Sequence, residues 1–167
     1  MTEENIKTVV LGIGNTLLGD EGIGVHVVRK LQNQKLPPYV LVIDGSTAGF
    51  KLFTLFEKYK SCRFIIIDAL KAESCQKIGQ IYRIPLEEFY NLSKSDYAVD
   101  EFISFHQTAL SDVFNLFFLT GSARIRGYFI GINIFRSGDE TLSFSMELTK
   151  EAEGSIDNIV HMVKNLF

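Results

Sequence analysis

Asp20 and Glu21 stand side by side in a glycine-punctuated turn, GIGNTLLGDEGIG at residues 12–24, and further acids end two later apolar runs, Asp44 in YVLVIDG and Asp68 in CRFIIIDA. Carboxylates gathered in this number do one of two things. They hold a cation, or they exchange protons once their surroundings have pushed their pKa values apart. His106, beside Gln107 and Thr108, is the histidine best placed to join them. Glu21, Asp68 and His106 together would make a three-ligand site with open positions, suited to zinc, nickel or another borderline divalent metal. Spacing alone does not force the three together, and a plainer reading is open for each. Glu21 then satisfies a helix N-terminus, Asp68 caps the turn after its strand, and His106 is a surface histidine. Asp44 likewise either binds a ribose or accepts hydrogen bonds from the Ser46 and Thr47 amides. Asp20, Asp44 and Asp68 are the acids open to acid–base work. His26 and His161 fall inside helical patterns that account for them without chemistry, and Asp112 reads as a solvated or helix-pairing acid.

The turn itself is a poor phosphate cradle. A dinucleotide fingerprint needs its third glycine three residues after the second, whereas Asn15, Thr16 and Leu17 follow Gly14 and the next glycine is Gly19. Acids at 20 and 21 would also occupy the helix end that favours anions. A cation suits this loop better than a nucleotide, and Asn15 is a residue that can orient it. No His-Glu-x-x-His helix, nucleophile-elbow serine or evident Cys-His pair is present. Cys62 and Cys75 lack a Cys-x-x-Cys spacing and read as free thiols, with Cys62 entering an apolar run where packing is its role.

Positioning these side chains falls to an alternation of strands and helices. KTVVLGI (7–13) reads as a strand buried on both faces, because its apolar residues run together. The glycine turn feeds a helix with Ile23, Val27, Val28 and Leu31 at helical spacing, ending before Pro37 and Pro38. YVLVIDG (39–45) is a second strand, after which Ser46 or Thr47 can cap a helix carrying Leu52, Leu55, Phe56 and Tyr59. CRFIIIDA (62–69) is a third. This order is that of a parallel α/β sheet, in which ligands bind beyond the carboxyl ends of the strands, and each of the three strands delivers an acid to that rim. GQIYRI (79–84) follows too closely for a crossover helix and is expected to run antiparallel, making the sheet mixed. Residues 86–103, with Asn91, Ser93, Ser95 and Asp96, carry no clear period and read as a loop. A helix from Ser104 or His106 turns Ala109, Val113, Leu116 and Phe117 inward, RGYFIGINIF (126–135) is a strong strand, and a last helix from Thr149 or Ser155 buries Ile156, Val160 and Val163.

The chain has 167 residues, 46% hydrophobic and 22% charged, with a net charge of −3. One globular domain over residues 1–167 is the expectation. That charge draws it to neither nucleic acid nor an anionic membrane. MTEENIK has no apolar core for a secretory signal, and no run reaches the ~20 apolar residues of a membrane span. The expected setting is the cytoplasm, without membrane insertion.

VLGIGNTLLGDEGIGVHVV (10–28), IDGSTAGF (43–50), IIIDAL (65–70) and SFHQTALSDV (104–113) resemble the successive signature blocks of the nickel-iron hydrogenase maturation endopeptidases. The resemblance covers roughly the first two thirds of the chain; 71–103 and the part beyond 120 match in pattern only. It implies a processing protease, classed with the aspartic-type endopeptidases, that removes a C-terminal extension from the hydrogenase large-subunit precursor after nickel insertion. It implies that the metal-contacting residues are Glu21, Asp68 and His106, that Asp20 and Asp44 support them, and that the nickel is carried by the substrate, with other divalent metals able to occupy the same site. The fold it implies is a three-layer α/β sandwich of the phosphorylase/hydrolase-like kind, with a mixed, mostly parallel twisted sheet flanked by helices. Two other readings compete: a nucleotide-binding α/β module using the Gly-x-Gly turn and Asp44, and a maturation chaperone that binds the large subunit without cutting it.

Overall fold

The structure is a computed structural model that describes residues 5–47, 49, 51–71, 77–93, 105–119, 125–134 and 144–167, with the side chains of 92, 93, 105–109, 111 and 118 outside that set. Its strands are β1 (Thr8–Ile13), β2 (Val40–Ser46), β3 (Arg63–Leu70), β4 (Ile81–Pro85) and β5 (Arg126–Asn133). Its helices are α1 (Ile23–Gln32), α2 (Lys51–Lys58), α3 (Leu86–Ser93), α4 (Phe105–Leu119) and α5 (Lys150–Lys164), with a short 3-10 turn at Gly19–Gly22. The strands form one sheet in the order β2-β1-β3-β5-β4, parallel except for β4, which pairs antiparallel with β5.

Continuous apolar runs produce the central strands. β1 is buried along its whole length and β3 from Phe64 onward. Alternate residues then face opposite layers. Val9, Leu11, Phe64, Ile66 and Phe129 join Phe56, Phe114 and Phe117 on the side of α2, α3 and α4. Val10, Ile65, Ile67, Ile130 and Ile132 join residues of α1 and α5 on the other. The edge strands β2 and β4 are only partly buried, as one-sided or peripheral strands should be.

Two local readings differ from the structure. Residues 86–93 form α3 rather than a loop: Leu86 and Phe89 lie three apart, are both buried, and Phe89 stacks on Phe129 with ring centroids 4.2 Å apart. The remaining residues to 104, with Ser95 and Asp96, lie outside the described residues, as does Cys75. The helix after β2 begins at Lys51 and not beside Ser46 or Thr47. Asp44 Oδ1 accepts from both the Ser46 amide (3.0 Å) and the Ser46 hydroxyl (2.9 Å), which holds Ser46 in a left-handed conformation (φ 47) that closes the strand instead of capping a helix.

Topology decides where a site can form. From β1 the chain moves outward to β2, then returns across β1 to β3, so the connections after β1 and β3 part in opposite directions and leave a crevice at the carboxyl ends of those two strands. The 3-10 turn follows β1, and Asp68 lies near the end of β3. α4 leads into β5, whose first residue, Arg126, is level with Arg63 at the amino edge. At ~1.5 Å per residue the fifteen residues of α4 span about 22 Å, enough to cross the sheet, so its first turn, with His106 as second residue, belongs at the carboxyl edge. Among the described residues no helix is long and apolar enough to cross a membrane.

Candidate functional site

Glu21 and Asp68 meet at that crevice because α1 is set down almost directly on the strand ends. A Cβ at Gly24, in the first turn of α1, would collide with the Ile13 and Ile67 carbonyl oxygens, so only glycine lets the helix approach β1 and β3 this closely. Gly14 serves the turn in a second way. Its φ of 145° and the proximity of the Glu21 carbonyl leave no room for a side chain. The loop is further fixed by the Asn15 amide, which donates to the Glu21 carbonyl at 3.1 Å, and by Asn15 Oδ1, which accepts from the Leu17 amide at 3.0 Å.

Both carboxylates are buried, Glu21 at 5% exposure and Asp68 at 0%. Each has one oxygen engaged. Lys71 Nζ lies 2.8 Å from Glu21 Oε1, and the Ala69 amide donates to Asp68 Oδ1 at 2.8 Å. The second oxygens, Glu21 Oε2 and Asp68 Oδ2, are buried with no hydrogen-bond partner among the described residues. A buried carboxylate oxygen left unpaired is costly, and natural structures reserve such groups for an ion, a ligand or a proton-transfer role. Burial raises the Asp68 pKa well above its ordinary 3.8, with the nearby Glu21 charge adding to the rise and the Ala69 hydrogen bond opposing it.

His106 occupies the first turn of α4, but its side chain is outside the described residues, so the described geometry brings together two of the three expected metal contacts. Among the described residues no cluster of three or more His, Cys, Asp or Glu side chains forms a metal cage. Two oxygen donors with unused lone pairs nevertheless fit a borderline divalent ion whose remaining positions come from elsewhere.

Asp20 and Asp44 are held within the chain. Asp20 Oδ1 accepts from the Thr149 amide and Oδ2 from the Thr149 hydroxyl, both at 2.7 Å, while Thr149 in turn caps α5 by accepting from the Ala152 amide at 3.2 Å. Gly19 and Leu17 add backbone bonds to Ser145, so residues 144–149 clamp the turn from the far end of the sequence. Loss of two charge-assisted bonds in Asp20→Ala is expected to cost about 2 kcal/mol of unfolding free energy. A urea-unfolding double-mutant cycle with Thr149→Val should show coupling above about 0.5 kcal/mol, and additive losses would refute the tie. Asp44 bonds Ser46 as described and pairs with Arg29 Nε at 3.0 Å, so both of its oxygens are engaged within the chain.

The other polar groups lie away from this chemistry. His26, on α1, is held below the usual histidine range by burial first and by the Arg29 charge second. Cys62 is a buried free thiol donating to the Ile6 carbonyl at 3.2 Å, and burial pushes its pKa up, the opposite of an activated nucleophile. A cavity of about 790 Å³ lined by Lys60, Leu86, Tyr90 and Arg126 opens at the amino edge of the sheet and contains none of the expected site residues. The Lys71–Glu21 and Thr149–Asp20 contacts were not anticipated from sequence. Lys71 carried one local signal, its place three residues past Asp68, and Thr149 was read as a helix start, which it is, with no sign of its tie to Asp20.

Comparison with known proteins gives this arrangement a context. Residues 25–166 match the family model described as hydrogenase maturation protease. The hydrogenase 2 maturation protease of Escherichia coli strain K12 is 31% identical over 159 residues, covering 95% of this chain and 88% of the relative. A putative hydrogenase maturation protease of Methanocaldococcus jannaschii is 36% identical over 87 residues, covering 52% and 54%. Among solved structures, the hydrogenase maturating endopeptidase HybD from Escherichia coli superposes with a TM-score of 0.77 at 31% identity, covering 95% of this chain and 90% of that one. The NiFe hydrogenase maturation protease HybD from Thermococcus kodakarensis shares the fold at 24% identity with a TM-score of 0.74, covering 96% and 99%. The likeness thus takes in the strands, the helices and the crevice between β1 and β3, and by it the chain belongs to the hydrogenase maturation protease family.

Proposed function

We propose that this chain is a cytoplasmic endopeptidase, one domain over residues 1–167, that removes the C-terminal extension of a nickel-iron hydrogenase large-subunit precursor. In this reading Glu21, Asp68 and His106 grip the nickel that the precursor carries. The observation that carries it is the pair of buried, unpartnered oxygens, Glu21 Oε2 and Asp68 Oδ2, at the mouth between β1 and β3. Oxygen lone pairs left unsatisfied in the free protein are complementary to a cation brought in by something else. The names of the Escherichia coli relatives agree with the peptidase assignment.

The chain's own part is mainly positioning. Glu21 rides on a turn pinned by Gly14, Asn15 and the Asp20–Thr149 bonds, and Asp68 on a central strand, so neither carboxylate can follow a misplaced client. Only a metal-loaded precursor would find both contacts, and its scissile bond would then be held in register. For acid–base work, Asp68 is the aspartate with an oxygen to spare, while Asp20 and Asp44 act as supports. Leu17 and Met146 lie exposed on the two segments that pair beside the turn and offer apolar surface to an incoming peptide.

The test is incubation with nickel-loaded and nickel-free precursor, followed by intact-mass measurement. Shortening of the loaded form alone is expected. Equal cleavage of both forms would remove the nickel requirement, and binding without any loss of mass would make the protein a chaperone.

A further inference from the structure

Lys71 is the group that engages one oxygen of the site, Glu21 Oε1, in the free protein. Its ammonium lies 2.8 Å from Glu21 Oε1, and it is the cation paired with Glu21 among the described residues. The two partners are unequally free. Glu21 is 6% exposed at its side chain and fixed from both sides of its turn, whereas Lys71 is 32% exposed and follows directly on the last residue of β3. A lysine so placed can swing its ammonium into water, where it is strongly hydrated, while its apolar stem stays against the protein. Glu21 has no such exit.

We infer that Lys71 is a displaceable internal cation, occupying the carboxylate site until a client-borne metal takes its place, so that free divalent ions are discriminated against. The inference rests on Glu21 and Asp68 being metal contacts, as proposed above. An ammonium on Glu21 Oε1 repels a divalent ion on the neighbouring Oε2, so binding favours the fraction of molecules in which Lys71 has left. The apparent affinity for any ion is lowered by that fraction. A free ion brings nothing to offset this. A docked precursor brings its own contacts, and these shift the population toward the vacated site. Lys71 would then be a specificity-determining residue, separating nickel presented by the client from ions in solution. An ion pair of purely structural purpose would behave otherwise, since its removal would cost stability and leave metal affinity unchanged.

Equilibrium dialysis of the full chain against Ni²⁺ alone tests this with Lys71→Met, Lys71→Arg and the double variant Lys71→Met/Glu21→Gln. Lys71→Met should bind Ni²⁺ at least about tenfold more tightly than the wild type. Lys71→Arg should not gain, and the double variant should lose the gain. Equal affinities for wild type and Lys71→Met overturn the assignment. If Glu21→Gln by itself still weakens Ni²⁺ binding in that case, the carboxylates keep their metal role and only that of Lys71 is lost. If Glu21→Gln alters neither Ni²⁺ binding nor precursor processing, the underlying reading falls too. A second measurement needs no variant. Acylation of Lys71 by an N-hydroxysuccinimide ester, followed by peptide mass analysis, should speed up several-fold at Ni²⁺ concentrations above the measured Kd, and an unchanged rate overturns the assignment as well.

Discussion

Glu21→Gln, Asp68→Asn and His106→Ala are each expected to slow processing of nickel-loaded precursor about a hundredfold or more, because a client held even an ångström out of place loses that much. Glu21→Gln and Asp68→Asn conserve side-chain volume, so the folded state of both should persist. Glu21→Gln keeps the shape of the side chain and discards the charge that Lys71 balances. Asp68→Asn is the more informative, because burial also makes Asp68 a source of pH dependence. Its folded pKa lies above the unfolded value of 3.8, so the native state retains a proton that the unfolded chain releases. The stability this contributes is complete below the unfolded pKa and is lost as pH rises through the raised folded value. Asp68→Asn has no such proton. It should therefore gain on the wild type as pH is raised from roughly 4 to 8. The absolute offset also contains the cost of an amide donor where Oδ2 stood, so the change with pH is the quantity to read. Urea unfolding across that interval decides it: parallel curves for the two proteins would mean that Asp68 is not the buried acid it is taken to be. Loss of processing together with this shift would place one residue in both the chemistry and the stability of the molecule.

What could be read from sequence, and what could not, follows the range of the interactions. β1, β3 and β5 were legible because Val9–Leu11, Phe64–Ile67 and Phe129–Ile132 are runs that only a strand covered on both faces can hide. The antiparallel turn of β4 followed from the shortness of its connection. α3 escaped because two turns of helix give a period too little room, and Asn91 and Ser93 weigh toward a loop; the start signal is Pro85 followed, after Leu86, by the first-turn acids Glu87 and Glu88. At the site, the acids could be assigned to one sheet edge, since strand ends are local features. Their burial, the Lys71 contact and the Thr149 clamp could not be, since each depends on which segments the fold brings over the crevice. Asp20 shows this most clearly: adjacent to Glu21 in sequence, it turns to a residue 129 positions away and spends both oxygens there.

The largest stability effect is expected where the helix meets the strands. Gly24→Ala adds one methyl group at a point where the Ile13 and Ile67 carbonyl oxygens and the Ile67 carbonyl carbon already occupy the space. None of these is the far end of a side chain that could rotate away. The backbone of α1 would have to lift from β1 and β3, disturbing the packing of Ile23, Val27 and Val28 against Ile65 and Ile67. A loss of about 4 kcal/mol or more is expected, at the upper end for single substitutions and enough to unfold many domains of this size. Gly154→Ala is the matched control. It makes the same chemical change inside α5, at a position where an added Cβ meets nothing within 4 Å, and it should stabilise the protein by about 0.5–1 kcal/mol through helix propensity alone. Urea midpoints for the two variants should move in opposite directions, and a Gly24→Ala midpoint at the wild-type position would show that the approach of helix to sheet is looser than drawn. Any Gly24→Ala protein that does fold should process precursor poorly, because lifting α1 carries Glu21 away from Asp68. The glycine that has no chemistry of its own thus sets the distance on which the chemistry depends.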